Sequence, residues 1–363
     1  MEKQIIGGQA VMEGVMMRSP QGMAVVVRKG KDLALRRMTS ATATGWKARP
    51  FIRGIVNLIA MLKLSSETLN ASLEMMGVEE EPGKFEKWLS GKMGKSANDI
   101  VMAAATVLGI GMAVVLFFLL PGLLGGLFQR WISSPVLIGL IEGGFRLLIF
   151  TGYMLAVGTM KDMKRFFGYH GAEHRVVNCY EADLPLTVEN ARRQRNANPR
   201  CGTSFLLLVM IVSILIFSLV TWPGQTAWMR LLLRLALLPA VTSVSYEALF
   251  FLAKYENGLI RALRAPGMVL QRLTTRDPDD GMLEVALAAF VAVLRPEERA
   301  VRVPADYRLP DEPSPEPEET VSVSPENGAA EKEKETSAPE GAGADGSGKA
   351  EERREPAGEA VRS

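Results

Sequence analysis

The feature that most constrains this chain is an apolar block at residues 100–120, which contains no charged side chain. At about 1.5 Å per residue, an α-helix of this length spans roughly 30 Å, the thickness of the hydrocarbon core of a bilayer. Three further apolar blocks occupy residues 136–160, 205–222 and 231–253. The sequence therefore predicts a mainly α-helical membrane protein with about four transmembrane helices.

Lysine and arginine are distributed unequally among the segments that join these blocks. The segments at 121–135 and 223–230 contain one arginine each, whereas residues 161–204 contain eight basic side chains. Because cytoplasmic loops are enriched in Lys and Arg, we expect residues 161–204 and both termini to face the cytoplasm, in the cytoplasmic (inner) membrane. The net charge of +2 provides no field that would attract nucleic acid, so the expected partner is the lipid bilayer.

The segments before the first apolar block have a different composition. Residues 1–50 are predicted to form a small β-rich cytoplasmic cap, with short strands at 23–28 and 33–38 around a turn at Gly30. Residues 51–98 are predicted to contain an amphipathic helix, whose apolar side chains recur at helical spacing, and a linker.

The rest of the chain divides into three parts by composition. Residues 99–254 are assigned to a four-helix membrane domain, which includes the cytoplasmic His/Cys loop at 161–204. Residues 255–303 are predicted to form cytoplasmic helices. Residues 304–363 are rich in Pro, Glu, Ala, Gly and Ser and nearly lack large apolar side chains. Such a segment cannot bury enough apolar surface to fold, so we predict a disordered C-terminal tail.

The chain has two histidines, His170 and His174, and both lie in the segment YHGAEH at 169–174. On a helix this i,i+4 spacing places both imidazoles on one face, where they can hold one metal ion. Glu173 is adjacent and could act as general base toward a metal-bound water, as in the inverted zinc-protease motif His-x-x-Glu-His. The structural alternative is a pair of helix-capping or salt-bridged histidines near the membrane surface.

Two histidines do not complete a zinc site, so further ligands are required. Cys179 and Cys201 lie in the same loop and could close a tetrahedral, structural site with the histidines. The other candidate ligand is Glu247, an ionisable side chain within a predicted span, which would leave a position open for water. Both candidate ligands also have a purely structural interpretation. Glu247 could pair with a buried basic side chain, and Cys201 could be an unreactive small residue at the start of a helix. The expected cofactor is a divalent metal ion, with zinc first among the candidates.

Six segments of the chain together resemble the YqhQ-like family of bacterial multi-pass membrane proteins, whose function is unknown. Their sequences are GGQAVMEGVMMR at 7–18, YHGAEH at 169–174, LTVEN at 186–190, PRCGTS at 199–204, SYE at 245–247 and LQRLTT at 270–275. The resemblance extends over about residues 5–295. The resemblance implies a metal-dependent enzyme. This predicted activity of the family itself rests on the His-x-x-Glu-His pattern. The family pattern often has His before Pro-Arg-Cys, where this chain has Asn198.

These observations favour a membrane-bound metal-dependent hydrolase, with peptidase as one candidate activity, at the cytoplasmic membrane face. His170 and His174 would be ligands, Glu173 the base, and Glu247 or Cys201 the third ligand. The alternative is a non-enzymatic membrane scaffold or assembly factor, in which the His/Cys loop is a structural staple. A membrane protein would then be the substrate or the partner. A transporter is disfavoured, because the spans carry few polar residues and no inverted repeat is visible.

Overall fold

A computed structural model of the chain describes residues 3–39, 49–77, 96–199, 201–222, 224–255 and 257–312. The four strands are β1 (Gly7–Val11), β2 (Gly14–Ser19), β3 (Gly22–Lys29) and β4 (Asp32–Met38). The helices are α1 (Ile52–Met76), α2 (Ser96–Val114), α3 (Leu120–Gly126), α4 (Pro135–Val157), α5 (Lys161–Glu181), α6 (Val188–Arg192), α7 (Thr203–Leu219), α8 (Ala227–Lys254), α9 (Gly258–Thr274), α10 (Asp280–Val291) and α11 (Pro296–Arg302). The mainly helical class and the N-terminal sheet are thus confirmed. The predicted linker at 78–95 and the predicted tail from 313 onward lie outside the described residues.

The strands form an antiparallel sheet in the order β1-β2-β3-β4. The predicted β3–β4 hairpin is confirmed, with Gly30 in its turn at a φ of 66°, and β1 and β2 extend the sheet beyond the two strands predicted. One face buries Val15 and Met17 against α5 and α10, and the other buries Met16 and Val25 against α1. Because both faces are covered, β2 lacks the alternation of polar and apolar side chains that marks a half-exposed strand.

Helix α1 packs through its small and polar side chains and exposes much of its apolar stripe. Its buried residues include Gly54, Thr68 and Ala71, whereas Ile59 and Leu62 are 61% and 63% exposed. Helix α1 thus occupies the segment predicted to be amphipathic, and its apolar stripe points away from the protein. A helix with such a stripe is suited to the interface of a bilayer.

Among the residues that the structure describes, three helical stretches are long and apolar enough to cross a membrane, namely Thr106–Gly126, Pro135–Val157 and Trp228–Leu252. They correspond to the first, second and fourth predicted spans. The third predicted span is the shorter apolar helix Phe205–Leu219. At about 1.5 Å per residue, the whole of α7 extends over roughly 25 Å, less than the ~30 Å hydrocarbon core. The membrane character is supported, but the count of four spans is not confirmed.

Pro121 does not end the first span, although a proline inside a helix lacks a backbone donor and clashes with the preceding turn. One π-helical turn, Val115–Leu119, comes directly before α3. This wider turn accommodates Pro121 near the first position of α3, and the helix continues to Gly126. The first span therefore extends beyond the end of the apolar block at residue 120.

Glycines allow α4 and α7 to pack with their backbones close together. A Cβ atom on Gly139 would lie 2.6 Å from the Cα atom of Ser218, and a Cβ atom on Gly143 would lie 2.5 Å from the side chain of Ile214. Small residues serve this purpose in membrane helix pairs, where close contact replaces the hydrophobic driving force. Helix α7 therefore lies directly against the candidate span α4.

Charged side chains within the helical layer pair between helices. Glu142 of α4 is 1% exposed and accepts hydrogen bonds from Arg230, at 2.9 Å, and from Arg234 of α8. Arg146 lies one turn along α4 but donates to the backbone carbonyl of Phe117 at 2.9 Å. Two arginines from α8, rather than the neighbouring Arg146, therefore satisfy the buried carboxylate.

A core built around α5 and α10 also includes one face of the sheet. The chain after α11 contributes to it: Leu309 is 2% exposed, and Glu312 pairs with Arg299 at 2.6 Å. Residues 304–312 thus pack on this core, so the predicted disordered tail cannot begin at residue 304. The reason is that the side chain of Leu309 is buried in this core, and one buried leucine barely changes the average composition of residues 304–363.

Candidate metal centre

Helix α5 brings both histidines to one place, as their spacing predicts. The centroids of the His170 and His174 rings lie 4.4 Å apart. His174 is 1% exposed, whereas His170 is partly exposed. Gly171 lies between them and allows a close approach to the segment after α9, because a Cβ atom at this position would lie 2.0 Å from the carbonyl oxygen of Arg276.

Backbone carbonyl oxygens fix the orientation of both imidazoles. Nδ1 of His170 lies 2.8 Å from the carbonyl oxygen of Thr274, and Nδ1 of His174 bonds to the carbonyl oxygen of Asn196. A carbonyl oxygen can only accept, so each Nδ1 carries the proton and each Nε2 presents a lone pair. Nε2 of His174 is buried and has no hydrogen-bond partner in the part of the chain that the structure describes.

Cys201 adds a third candidate ligand. Its Sγ atom lies 3.3 Å from Nε2 of His170, and the ligand atoms of His170, His174 and Cys201 all lie within 4.8 Å of one another. Ligand bonds of about 2.0–2.3 Å in a tetrahedral zinc site place neighbouring ligand atoms about 3.3–3.8 Å apart. A contraction of roughly 1 Å at the widest pair would therefore give a zinc geometry. The two imidazoles and the thiol also match the donor types that zinc prefers.

Glu173 lies beside this group on its buried side. Its Oε2 atom is 3.4 Å from Nε2 of His174, and the residue is 5% exposed. The backbone N–H of Gly8 in β1 bonds to the carboxylate, and a Cβ atom on Gly8 would lie 2.9 Å from Cγ of Glu173. The glycine pair that opens the N-terminal segment therefore allows strand β1 to cover Glu173.

Burial sets the protonation states of these groups. Desolvation raises the pKa of Glu173 to about 8, and the N–H of Gly8 partly opposes this shift. Desolvation also lowers the pKa of His170 below its ordinary value, and desolvation together with the nearby His170 lowers the pKa of His174 to about 3. Both imidazoles are therefore neutral at pH 7, which is the form that binds a metal ion.

Glu247 does not join the histidines, so its predicted role as a metal ligand is corrected. Its two carboxylate oxygens accept from Arg53 of α1 at 2.6 and 2.9 Å, and one also accepts from the backbone N–H of Phe51 at 3.0 Å. This two-point pairing joins α8 to α1. The carboxylate is thus satisfied by a helix whose position the sequence did not reveal.

Cys179 does not join the group either, so the predicted closed site of two histidines and two cysteines is also corrected. The residue is 0% exposed in the core shared by α5 and the sheet, and its Sγ atom lies 3.5 Å from the carbonyl oxygen of Pro185. Burial raises the pKa of the Cys179 thiol to about 11. Its environment is that of an inert core residue.

Sequence patterns do not identify the residues that orient the two histidines. Asn196 and Thr274 act through their carbonyl oxygens, so their side-chain types carry no signal. Asn198, at the position where the family pattern often has His, is held through its own backbone: its N–H donates to Gln271 at 3.0 Å, and its carbonyl accepts from Gln271 at 2.8 Å. These two hydrogen bonds position Asn198, which lies three residues before Cys201.

Comparisons with known proteins agree with the resemblance of the six segments. Residues 49–296 match the model of a family described as protein of unknown function, DUF1385. The chain is 34% identical over 297 residues to the uncharacterized protein YqhQ of Bacillus subtilis, in an alignment covering 80% of this chain and 92% of that protein. No solved structure matches the chain significantly. The chain therefore belongs to the DUF1385 family of proteins of unknown function.

Proposed function

We propose that this protein is a membrane-bound, metal-dependent hydrolase whose metal, zinc first among the candidates, is held by His170, His174 and Cys201. The observation that carries the proposal is the buried Nε2 atom of His174, which has no hydrogen-bond partner among the described residues and lies within 4.8 Å of two other ligand atoms. A buried polar atom without a partner is costly, so it calls for an ion or another ligand. Three protein ligands leave a fourth position open, as in catalytic zinc sites.

Glu173 is positioned to move a proton in such a reaction. A bound zinc ion would supply Lewis acidity toward the substrate oxygen. Glu173 would take the proton that an attacking water gives up and return it to the leaving group. The N–H of Gly8 holds this carboxyl group in place. His170 and Cys201 are partly exposed, so a substrate would approach the metal from their side. Peptide segments of membrane proteins are one candidate class of substrate.

A structural staple is the second candidate function, and it rests on the position of Glu173. Because the carboxyl group is buried 3.4 Å from Nε2 of His174, it could serve as a fourth ligand and close the site. A closed site would join α5 to the segment that leads into α7. The protein would then be a non-enzymatic scaffold or assembly factor with a membrane-protein partner.

We further propose a four-span topology, with the metal centre and both termini on the cytoplasmic side of the cytoplasmic membrane. Helix α7 supports this proposal because it packs directly against α4 through Gly139 and Gly143. Local thinning of the bilayer can accommodate a helix that is a few ångströms short. The orientation rests on the excess of Lys and Arg in residues 161–204.

A membrane-impermeant maleimide tests this topology through Cys201, which is partly exposed. In a Cys179→Ser background treated with a zinc chelator, so that no metal protects the thiol, Cys201 should react in inverted vesicles. It should not react in intact cells, because the proposed topology places residues 161–204 in the cytoplasm. A Cys179→Ser, Cys201→Ser, Ser133→Cys variant is the matched control, since Ser133 is exposed between α3 and α4 and should show the opposite pattern. Labelling of Cys201 from outside intact cells would overturn the proposed topology.

Zinc content and zinc affinity of the purified full-length protein test the ligand set. We expect about one zinc ion per wild-type chain. His170→Ala, His174→Ala and Cys201→Ser should each weaken zinc binding by at least roughly 100-fold, because loss of a ligand exceeds the 10–100-fold effect of losing an outer-shell partner. Cys179→Ser and Glu247→Gln are the controls and should keep the metal. Zinc that persists in Cys201→Ser but is lost in Cys179→Ser would refute this ligand set.

The Glu173→Gln variant separates the hydrolase from the staple. In a hydrolase the substitution removes the base and keeps the size of the side chain, so zinc content and protein abundance should persist while complementation of a deletion strain fails. In a staple it removes a ligand, so zinc affinity and protein abundance should fall together. Matched immunoblots and metal counts measure both. Full complementation by Glu173→Gln would exclude an essential base.

A further inference from the structure

A cavity of about 720 Å³ lies next to the segments that hold the two histidines. Met154 and Leu155, near the end of the candidate span Pro135–Val157, form part of its apolar wall. Arg195, Arg272 and Arg276 line it as well. The cavity therefore combines the end of a membrane helix with a cluster of guanidinium groups.

The positive charge of this cavity is only partly compensated by the protein. Three arginines and one aspartate, Asp277, line it, so its formal charge is +2. Asp277 is already paired with Arg175, which lies outside the lining, at 2.5 Å. Arg195 and Arg272 are exposed and make no ion pair with any residue described in the structure. Two guanidinium groups next to an apolar wall thus remain available for an external anion.

We propose that this cavity binds the phosphate headgroup of an anionic phospholipid, with the beginning of an acyl chain against Met154 and Leu155. Guanidinium groups bind phosphate oxygens in two-point geometry. Basic pockets at the ends of transmembrane helices are suited to such headgroups. Inorganic phosphate shares the anionic chemistry but would leave the apolar wall uncovered, and a zwitterionic headgroup would bring its own cation toward a positive cavity.

Bound lipid would contact the segments that orient the metal centre. Asn196, whose carbonyl oxygen holds His174, lines the cavity, and so do Gln271 and Thr275 on either side of Thr274. The candidate metal ligands themselves do not line it. Lipid binding therefore does not rest on the proposed metal chemistry, and the two can be tested separately.

Native mass spectrometry of the purified full-length protein in detergent tests this site. Dioleoylphosphatidylglycerol should bind at least roughly fivefold more tightly than dioleoylphosphatidylcholine, since each basic side chain near a headgroup contributes about a fivefold effect. Arg195→Gln and Arg272→Gln should each weaken phosphatidylglycerol binding roughly fivefold, and the double variant roughly 25-fold. Arg261→Gln is the matched control, because Arg261 is exposed on the same helix as Arg272 but lies outside the cavity.

Three results of the lipid-binding measurements would overturn the proposal. These are equal binding of the two lipids, unchanged phosphatidylglycerol binding in the double variant, and an equal loss of binding in Arg261→Gln. Inorganic phosphate that displaced the lipid at an equal concentration would identify free phosphate as the ligand and would also overturn it. Circular dichroism should show wild-type helix content in every variant, because Arg195 and Arg272 have no ion pair to lose among the described residues. Lipid binding that survives a zinc chelator would support a site separate from the metal centre.

Discussion

The candidate metal centre depends on the close contact between α5 and the segment that follows α9. Gly171 permits this contact, because a Cβ atom there would lie 2.0 Å from the carbonyl oxygen of Arg276, and the N–H of Arg276 in turn donates to the carbonyl of Phe167 at 2.9 Å. At this separation the carbonyl oxygen of Thr274 reaches His170. A side chain at position 171 would separate the two segments and remove the acceptor that fixes the His170 tautomer.

The N-terminal sheet belongs to the same centre. Strand β1 covers Glu173 through Gly8, and Glu13, at the turn between β1 and β2, accepts from Arg165 of α5 at 2.5 Å and from Tyr169 at 3.2 Å. Helix α5 is therefore held between the sheet on one side and the end of α9 on the other. This arrangement brings the glycine-rich segment at 7–18 into contact with the histidine segment at 169–174, although the two are far apart in the sequence.

Local patterns predicted the features that depend on local geometry. The i,i+4 spacing placed both histidines on one face, the turn at Gly30 identified the β3–β4 hairpin, and hydropathy identified the three longest spans. Features set by tertiary packing could not be predicted. The choice between Cys179 and Cys201 depends on how the chain folds back after α6, and the pairing of Glu247 depends on where α1 packs. Strand β2 escapes prediction because burial on both faces removes its alternation. Strand β1 escapes prediction because it is short and begins with two glycines.

The central claim is that His170, His174 and Cys201 hold one metal ion. X-ray absorption at the zinc K-edge of the zinc-loaded, full-length protein tests it most directly. We predict one sulfur neighbour at about 2.3 Å and nitrogen or oxygen neighbours at about 2.0–2.1 Å. The sulfur neighbour should disappear in Cys201→Ser and remain in Cys179→Ser. A first shell with no sulfur, or with two sulfur atoms, would contradict this account of the site.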